Sequence, residues 1–218
     1  MLTGVDPSVT SIAIRFGVVV IAGYLLGSVP VATLVSRRSG VPDLRVVGDG
    51  NPGYWNAKET LGRSAALPVF ILDAAKGALS AGIGVAVAID GQWWMAYVGA
   101  AAAMVGHAWP LFAGFRGGRS VLAFAGGICV AAPLPAAAAI GLLLVVLAAT
   151  RSFAFGARAG IFGLPVIQFA IEGRYRTAAT GALMCLFGLR FVMAWRAAAR
   201  RDGAGAADLS AEPRTPPR

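Results

Sequence analysis

The sequence has 218 residues, of which 57% are hydrophobic and 13% charged, and its mean hydropathy is +0.71. Soluble domains carry about 25% charged residues, so this composition excludes an ordinary soluble domain. The formal net charge is +9. Because the arginines fall between apolar blocks, this charge indicates membrane orientation and contact with anionic membrane lipids, and we expect no nucleic acid partner.

Long runs of Ala, Leu, Val and Ile recur along the chain, each long enough for a membrane-crossing α-helix. An outer-membrane β-barrel would show short alternating strands instead. We therefore predict an all-α, polytopic membrane helix bundle of about seven transmembrane helices. The predicted spans are residues 12–35, 65–89, 93–112, a short span from 121 to an outer turn at 132–135, a returning span to 150, then 159–172 and 177–195.

Basic residues between the spans predict the orientation of the bundle. The loop at residues 36–64 is rich in arginine and lysine, and more arginines follow the third and seventh spans. Cytoplasmic loops carry such an excess, so we expect the N-terminus outside and the C-terminus in the cytoplasm. Residues 1–201 form a single predicted domain. Residues 202–218 are rich in Gly, Ala, Asp and Pro and are predicted to form a disordered cytoplasmic tail.

Two glycine-rich loops flanked by cations interrupt the apolar pattern, at residues 44–58 and 115–120. Glycines leave backbone N–H groups open to an anionic oxygen, and neighbouring cations add charge-assisted hydrogen bonds. We predict that both loops meet at one membrane face and bind a phosphate-bearing substrate. The alternative is that they are plain membrane turns with cytoplasmic arginines. The residues concerned in the first loop are Arg45, Gly48, Gly50, Asn51, Gly53 and Lys58.

Polar side chains also fall within the predicted spans. Ser28 precedes Pro30, which can kink a helix and free its carbonyls, although a serine there more often bonds back to its own helix. Asp73 and Lys76 are three residues apart and share a helix face, either as an internal ion pair or in catalysis. His107 is the only histidine; it is a candidate general base, with a structural hydrogen bond as the alternative.

Four blocks of sequence occur in a specific order. They are Gly27-Ser28-Val29-Pro30, then Asp43-Leu44-Arg45 with the loop at 48–56, then Leu72-Asp73-Ala74-Ala75-Lys76-Gly77, then Gly106-His107 with Pro110, Phe115 and Gly117-Gly118-Arg119. Together they resemble the PlsY family of bacterial membrane acyltransferases, over residues 17–200. The resemblance implies an enzyme of the bacterial inner membrane with a cytoplasm-facing site. It implies acyl transfer from acyl phosphate to glycerol 3-phosphate, giving lysophosphatidate, with no cofactor and no metal.

The resemblance also marks site residues by position. We predict that the catalytic residues are Ser28, Arg45, Asn51 and Arg119. The predicted substrate-binding residues are Gly48, Asp49, Gly50, Gly53, Asn56, Lys58, His107, Gly117, Gly118 and Arg190.

Several family positions are substituted in this chain. Asp49 replaces a serine of the first loop, while Arg190 and Met193 replace a histidine and an asparagine of the family's C-terminal motif. A carboxylate beside a phosphate repels it unless a cation pairs with it. We hypothesise that Asp49 and Arg190 compensate one another, with Lys58 or Arg45 as other partners for the carboxylate. The alternatives to an enzyme are a catalytically lapsed lipid-binding or scaffold protein and a small transporter.

Overall fold

The computed structural model describes residues 7–211 of the chain, and the side chains of residues 8–200. Within that range the chain forms helices and no strands, which confirms the all-α prediction. The helices are α1 Pro7–Gly27, α2 Val31–Arg38, α3 Tyr54–Leu61, α4 Arg63–Val87, α5 Trp94–Ala108, a short 3-10 helix Leu111–Ala113, α6 Val121–Ala131, α7 Pro133–Thr150, α8 Phe153–Glu172 and α9 Arg174–Ala211.

Six helical stretches in the described part of the chain are long and apolar enough to cross a membrane. They are Ser8–Arg38, Arg63–Val87, Trp94–Ala113, Pro133–Thr150, Phe153–Glu172 and Arg174–Arg200. Helix α6 is apolar but has only 11 residues, about half the length that a bilayer requires. The bundle of about seven helices therefore consists of six full-length spans and one short helix.

Several predicted bounds were wrong. The stretch predicted as a loop at 36–64 contains helix α3, Tyr54–Leu61. The outer turn predicted at 132–135 is reduced to Ala132, because Pro133 and Pro135 lie in the first turn of α7, where a missing N–H costs no helix hydrogen bond. The predicted span at 159–172 begins earlier, at Phe153. Arg158 consequently lies within α8 instead of in a loop, with its guanidinium over the Phe155 ring.

The first span is broken near its inner end. Helix α1 stops at Gly27 and α2 starts at Val31, because Pro30 cannot donate the backbone hydrogen bond that would continue the helix. The break frees the carbonyl of Val29, which accepts a hydrogen bond from Lys76 Nζ at 3.3 Å. The predicted kink is therefore a complete interruption of the helix, held by a cation on α4.

Glycines allow the central helices to approach closely. A Cβ added at Gly27 or Gly106 would collide with the backbone of the facing helix, and α1 packs against α5 at these positions. A Cβ added at Gly77 of α4 or at Gly126 of α6 would likewise collide with the backbone of the other helix. Since lipid tails provide no hydrophobic drive between helices, such small residues are the usual means of tight packing in a membrane. Helices α1, α4, α5 and α6 thus form the centre of the bundle.

Three non-helical segments lie together at one end of the bundle. The break after Gly27, the segment between α2 and α3, and the segment between α5 and α6 all lie there. At the other end, Arg15 Nη1 on α1 donates to the carbonyl of Val87, the last residue of α4, at 2.6 Å.

Helix α9 continues to Ala211, into the segment for which the sequence predicts a disordered tail. Residues 212–218 lie outside the described residues, so the domain division stays a prediction.

Candidate active site

The two glycine-rich loops meet at one end of the bundle, as predicted. Arg45 Nη1 in the first loop donates to the carbonyl of Ala113 beside the second, at 2.9 Å. Arg119 Nη1 of the second loop lies 3.0 Å from Asp49 Oδ2 of the first. Between these loops and α9 lies a cleft of about 380 Å³. The loops therefore build one site.

The cleft has a cationic side and an apolar side. Four of its lining residues are arginines: Arg45, Arg116, Arg119 and Arg190. Asp49 is the only carboxylate among the lining residues. The apolar side consists of Trp109, Phe115, Met193, Ala194, Ala197 and Ala198. This combination suits a ligand with an anionic head and an aliphatic part, because the arginine donors match phosphate oxygens and the α9 face matches an acyl chain.

Arg45 is held in place by a carboxylate of its own loop. Its Nε donates to Asp43 Oδ2 at 2.9 Å, and its Nη2 donates to the same oxygen. This hydrogen bond from Arg45 lowers the pKa of Asp43 and raises the pKa of Arg45, while partial burial opposes both shifts. Asp43 thus orients the guanidinium at the edge of the cleft and keeps it charged.

One hydrogen-bond donor of Arg119 has no partner among the described residues. Its guanidinium stacks on Phe191 of α9, at 5.0 Å from the ring centroid, and its Nη1 pairs with Asp49. Its Nε is buried and has no hydrogen-bond partner among the described residues. A buried donor without a partner is costly, so the contacts of Arg119 leave part of its hydrogen-bonding capacity unused.

Arg190 fixes the second loop from α9. Its Nε donates to the carbonyl of Gly118 at 3.1 Å and its Nη2 to that of Gly117 at 2.9 Å, while its guanidinium stacks over Trp109. The hypothesis that Asp49 and Arg190 form the compensating pair was therefore wrong, because Arg190 is used by these carbonyls and Asp49 pairs with Arg119.

The other two cations proposed as partners of Asp49, Lys58 and Arg45, each pair with a different carboxylate. Lys58 Nζ pairs with Glu59 at 3.1 Å and lies over the ring of Trp55, and Lys58 does not line the cleft. Arg45 is paired with Asp43. Lys58 thus contacts its own helix instead of the ligand space.

Asn56 holds the shape of the first loop. Its side-chain amide is buried and donates to the carbonyls of Leu44 and Val47, at 2.8 and 2.9 Å. Gly48 has a φ of +60°, and a Cβ there would collide with Asn56 Oδ1, so both the conformation and the space require glycine. Asn56 and Gly48 consequently lie behind the cleft, where they hold the loop.

The tip of the first loop faces the cleft. Gly50 and Asn51 line it, and the backbone N–H of Asn51 donates to Asp49 Oδ1 at 3.0 Å. Gly53 is the N-cap residue of α3, and a Cβ there would press on the Asn51 side chain. The turn thus directs the carboxylate of Asp49 and the amide of Asn51 toward the same space.

A buried trio of charged and polar side chains lies behind the second loop. Lys76 Nζ is 2.9 Å from Asp73 Oδ1, and His107 Nδ1 is 3.6 Å from the same oxygen. The other ring nitrogen, Nε2, occupies the space where a Cβ on Gly118 would stand. The trio borders a small cavity of about 20 Å³, and Gly117 and Gly118 line that cavity too. His107 thus supports the loop from inside and does not line the cleft.

Ser28, a predicted catalytic residue, is fully buried. Its hydroxyl donates to the carbonyl of Tyr24, one turn earlier in α1, at 2.8 Å. It contributes no lining to the cleft. The geometry matches the alternative of a serine bonded back to its own helix. A catalytic role for Ser28 stays a prediction.

The sequence analysis missed several residues that line the cleft or hold its arginines in place. Arg116 and Phe115 lie in the second glycine-rich loop, so the sequence had already marked the segment that contains them. Asp43 stands two residues before Arg45, a spacing that allows a side chain to bond locally in a turn. Trp109 had no signal of its own, since it is placed in the cleft by the fold of the segment between α5 and α6.

The fold and the cleft together define a polytopic membrane protein with a site for an anionic, partly aliphatic ligand. Residues 17–201 match the profile of the family described as glycerol-3-phosphate acyltransferase. Glycerol-3-phosphate acyltransferase 1 of Dehalococcoides mccartyi is 34% identical over 177 residues, which cover 78% of this chain and 85% of the relative.

Two solved structures have the same fold. The crystal structure of PlsY (YgiH), an integral membrane glycerol 3-phosphate acyltransferase, in its glycerol 3-phosphate form has a TM-score of 0.70 and 26% identity, with 92% of this chain and 96% of that chain covered. The lysophosphatidic acid form has a TM-score of 0.68 and 25% identity, with coverage of 87% and 92%. The chain therefore belongs to the glycerol-3-phosphate acyltransferase family, and it is a membrane acyltransferase of phospholipid synthesis.

Proposed function

We propose that the cleft transfers an acyl group from acyl phosphate to glycerol 3-phosphate, and so produces lysophosphatidate. The observation that carries the proposal is the charge of the cleft, in which four arginines and one carboxylate surround a single space. Both proposed reactants carry phosphate, which arginine binds with strong, directional hydrogen bonds. The related structures in glycerol 3-phosphate and lysophosphatidic acid forms support the acceptor and the product.

Arg45 and Arg119 are the proposed ligands of the acceptor phosphate. Asp43 orients Arg45 from one side, and Arg119 lines the cleft with 26% of its side chain exposed. Asn51 and Gly50 add polar groups at the same edge of the cleft. These groups hold the glycerol hydroxyl in a fixed position, which lowers the entropic part of the barrier.

Acyl phosphate is the proposed donor, with its chain against the apolar face of α9. Transfer requires the acceptor hydroxyl oxygen to attack the acyl carbon, while the bond from that carbon to the phosphate oxygen breaks and inorganic phosphate leaves with the hydroxyl proton. Arg116 and Arg190 line the same cleft as Arg45 and Arg119, so further positive charge is available to the departing phosphate. The lapsed scaffold is not favoured, because the chain retains this cationic cleft and the family's sequence.

The test is a transfer assay with the purified protein in phospholipid vesicles. Palmitoyl phosphate and labelled glycerol 3-phosphate should give labelled lysophosphatidate, whereas palmitoyl-CoA and palmitoyl carrier protein should not replace palmitoyl phosphate. Arg119→Ala should lower the rate, and Arg158→Ala, which changes an arginine on α8 that does not line the cleft, should not. Lack of product from the unmodified protein with palmitoyl phosphate would contradict the proposal.

We further propose that the protein lies in the inner membrane of a bacterium, with the cleft facing the cytoplasm. The support is the concentration of arginine at the cleft end, which cytoplasmic faces share. A cysteine at the exposed Ser39, in a variant without Cys129 and Cys185, should escape an impermeant thiol reagent added to intact cells. A cysteine at the exposed Asp90, between α4 and α5, should react. The reverse pattern would contradict this orientation. Ser120 is unsuitable for labelling because it is buried.

A further inference from the structure

Asp49 places a negative charge in a cleft that is otherwise cationic. Among the residues that the structure describes, it is the one carboxylate that lines the cleft, where the other charged residues are four arginines. Its side chain is 39% exposed, so a ligand in the cleft can contact it. A negative charge beside a bound anion opposes binding of that anion. The carboxylate therefore lowers the affinity of the cleft for anions, and it does so most for the anions that carry the most charge.

We propose that Asp49 is a specificity-determining residue, which rejects acceptors that carry a second acid group beside their phosphate. Glycerol 3-phosphate has only hydroxyl groups besides its phosphate, whereas a phosphorylated hydroxy acid of the same length also has a carboxylate. The proposal rests on the function proposed above and adds to it the class of acceptor that the cleft selects. The family's serine at this position is uncharged, so the change from serine to aspartate supplies the repelling charge.

The carboxylate is held in the cleft from two sides. Its Oδ1 accepts the backbone N–H of Asn51 at 3.0 Å, within the first loop. Its Oδ2 lies 3.0 Å from Nη1 of Arg119, in the second loop. Each carboxylate oxygen has a second lone pair, so these two contacts leave room for a hydroxyl donor of a ligand. The negative charge thus has a defined place where the two loops meet.

The contact with Arg119 brings this charge next to the proposed position of the acceptor phosphate. Arg119 is a proposed ligand of that phosphate, and its guanidinium already contacts Asp49. A phosphate bound by Arg119 therefore lies within a few ångströms of the carboxylate. Because the acceptor has only three carbons, the groups at its other end remain near the carboxylate as well.

Asp49 has opposite effects on the two kinds of acceptor. A hydroxyl of glycerol 3-phosphate can donate to the carboxylate, and a hydrogen bond to a charged acceptor is a strong one. A second carboxylate has no proton to donate at neutral pH, and its charge is repelled. Two unit charges about 4 Å apart change an equilibrium constant about 5-fold in bulk water, and by more where protein displaces the water. Such built-in repulsion of the wrong ligand is a general source of specificity.

The neighbouring acids are not placed for this task. Asp43 and Glu59 are the other two acids of residues 36–64. Asp43 is bound by the guanidinium of Arg45, Glu59 pairs with Lys58, and neither acid lines the cleft. Without Asp49, the four arginines of the cleft would attract the more highly charged phosphate compounds most strongly. The selection therefore depends on this one side chain.

The test measures the binding of two ligands by isothermal titration calorimetry. Glycerol 3-phosphate is compared with 3-phosphoglycerate, which has a carboxylate in place of the terminal hydroxymethyl group. The selectivity is the dissociation constant of 3-phosphoglycerate divided by that of glycerol 3-phosphate. In Asp49→Asn the selectivity should fall about 5-fold or more, because the repelling charge is gone. Asp49→Glu keeps the charge and should keep most of the selectivity.

Two further variants complete the comparison. Glu59→Gln is the matched control, because Glu59 is also paired with a cation but lies outside the cleft; its selectivity should equal that of the unmodified protein. Asp49→Ser restores the family's residue and should lose as much selectivity as Asp49→Asn. If Asp49→Asn does not fold, Asp49→Ser takes its place.

The outcomes separate this proposal from the proposed function. Unchanged selectivity in a folded Asp49→Asn or Asp49→Ser protein would overturn the selective role, even if both ligands bind more tightly, because the carboxylate would then only compete with phosphate for Arg119. Selectivity that depends on Asp49 in a protein without acyl transfer would overturn the proposed function alone. Failure of the unmodified protein to bind glycerol 3-phosphate would overturn both.

Discussion

Two groups of charged residues lie within a short distance of each other along the second loop, and they differ in their access to water. The cleft cluster is Arg45, Asp49, Arg119 and Arg190. In its ion pair, the side chains of Arg119 and Asp49 are 26% and 39% exposed. The buried trio is Asp73, Lys76 and His107; its Lys76 and Asp73 side chains are only 7% and 2% exposed.

The difference in exposure separates two roles. Exposed ion pairs are exchanged easily for a ligand, because water screens them and they contribute about 0–1 kcal/mol each. Buried pairs are not exchangeable, because a charge left alone in the interior costs several kcal/mol. The cleft cluster can therefore receive a substrate, whereas the buried trio joins α4, α5 and the break after Gly27 into one rigid support.

The largest expected effect is on the buried trio. Lys76→Ala leaves Asp73 without its closest cation, 2.9 Å away, and leaves the carbonyl of Val29 with the backbone N–H of Val31 as its donor. The free energy of unfolding in detergent should fall by about 3–5 kcal/mol, the usual cost of breaking a buried pair. Denaturant titration in detergent measures it.

Ser80→Ala is the matched control for that change. Its hydroxyl donates to the carbonyl of Lys76, one turn away on the same helix, so its loss should cost about 1 kcal/mol. The double variant Asp73→Asn/Lys76→Met should regain part of the stability lost by Lys76→Ala, since no charge is left unpaired. Equal losses for Lys76→Ala and Ser80→Ala would remove the distinction between the two clusters.

Arg190 should give the next largest effect, and it sharpens the comparison within the cleft. Arg190→Ala removes the donors for the carbonyls of Gly117 and Gly118, so glycerol 3-phosphate binding should weaken by about 1.5–3 kcal/mol. Arg190→Lys should recover little, because one ammonium cannot reproduce the two-armed contact and the stacking on Trp109. Binding of glycerol 3-phosphate by isothermal titration calorimetry checks both. Full recovery with lysine would show that only the charge matters.

The smallest effect is expected for Asp43. The hydrogen bond from Arg45 lowers the pKa of Asp43 below its ordinary value of 3.8, so the carboxylate favours folding above that pH. Because the pair is partly exposed, Asp43→Asn should lower the free energy of unfolding at pH 7 by less than about 1 kcal/mol. The difference between the two proteins should disappear as the pH falls through the lowered pKa. A difference that persists at lower pH would contradict this origin.

The sequence was sufficient for the membrane-length helices, the place of the distortion at Pro30 and the meeting of the loops, but not for α3 or for the full break of the first span. Apolar length predicts membrane helices, and Pro30 predicts a kink, because both are local properties of the chain. The division of the apolar run from 121 to 150 into a short and a long helix was also predicted, from Pro133 and Pro135, and is confirmed. The extent of the turn was not, because a proline is compatible both with a turn and with the first turn of a helix.

The partners within the site could not be read from the sequence. Asp49 and Arg119 are far apart along the chain, and Arg190 is farther still, so charge alone allowed several pairings. The hypothesis from the sequence paired Arg190 with Asp49, since both replace family residues. The backbone carbonyls of Gly117 and Gly118 compete for Arg190, and backbone acceptors carry no signal in a sequence.

The central claim is that the cleft cluster binds the phosphate of the acceptor, with Arg119 as a direct ligand. The most direct test is calorimetric titration of glycerol 3-phosphate into the unmodified protein, Arg119→Ala and Arg119→Lys. The account predicts binding to the unmodified protein that weakens by about 1.5–3 kcal/mol in Arg119→Ala, with better retention in Arg119→Lys and no loss of folding in either. Unchanged affinity in a folded Arg119→Ala protein would contradict it.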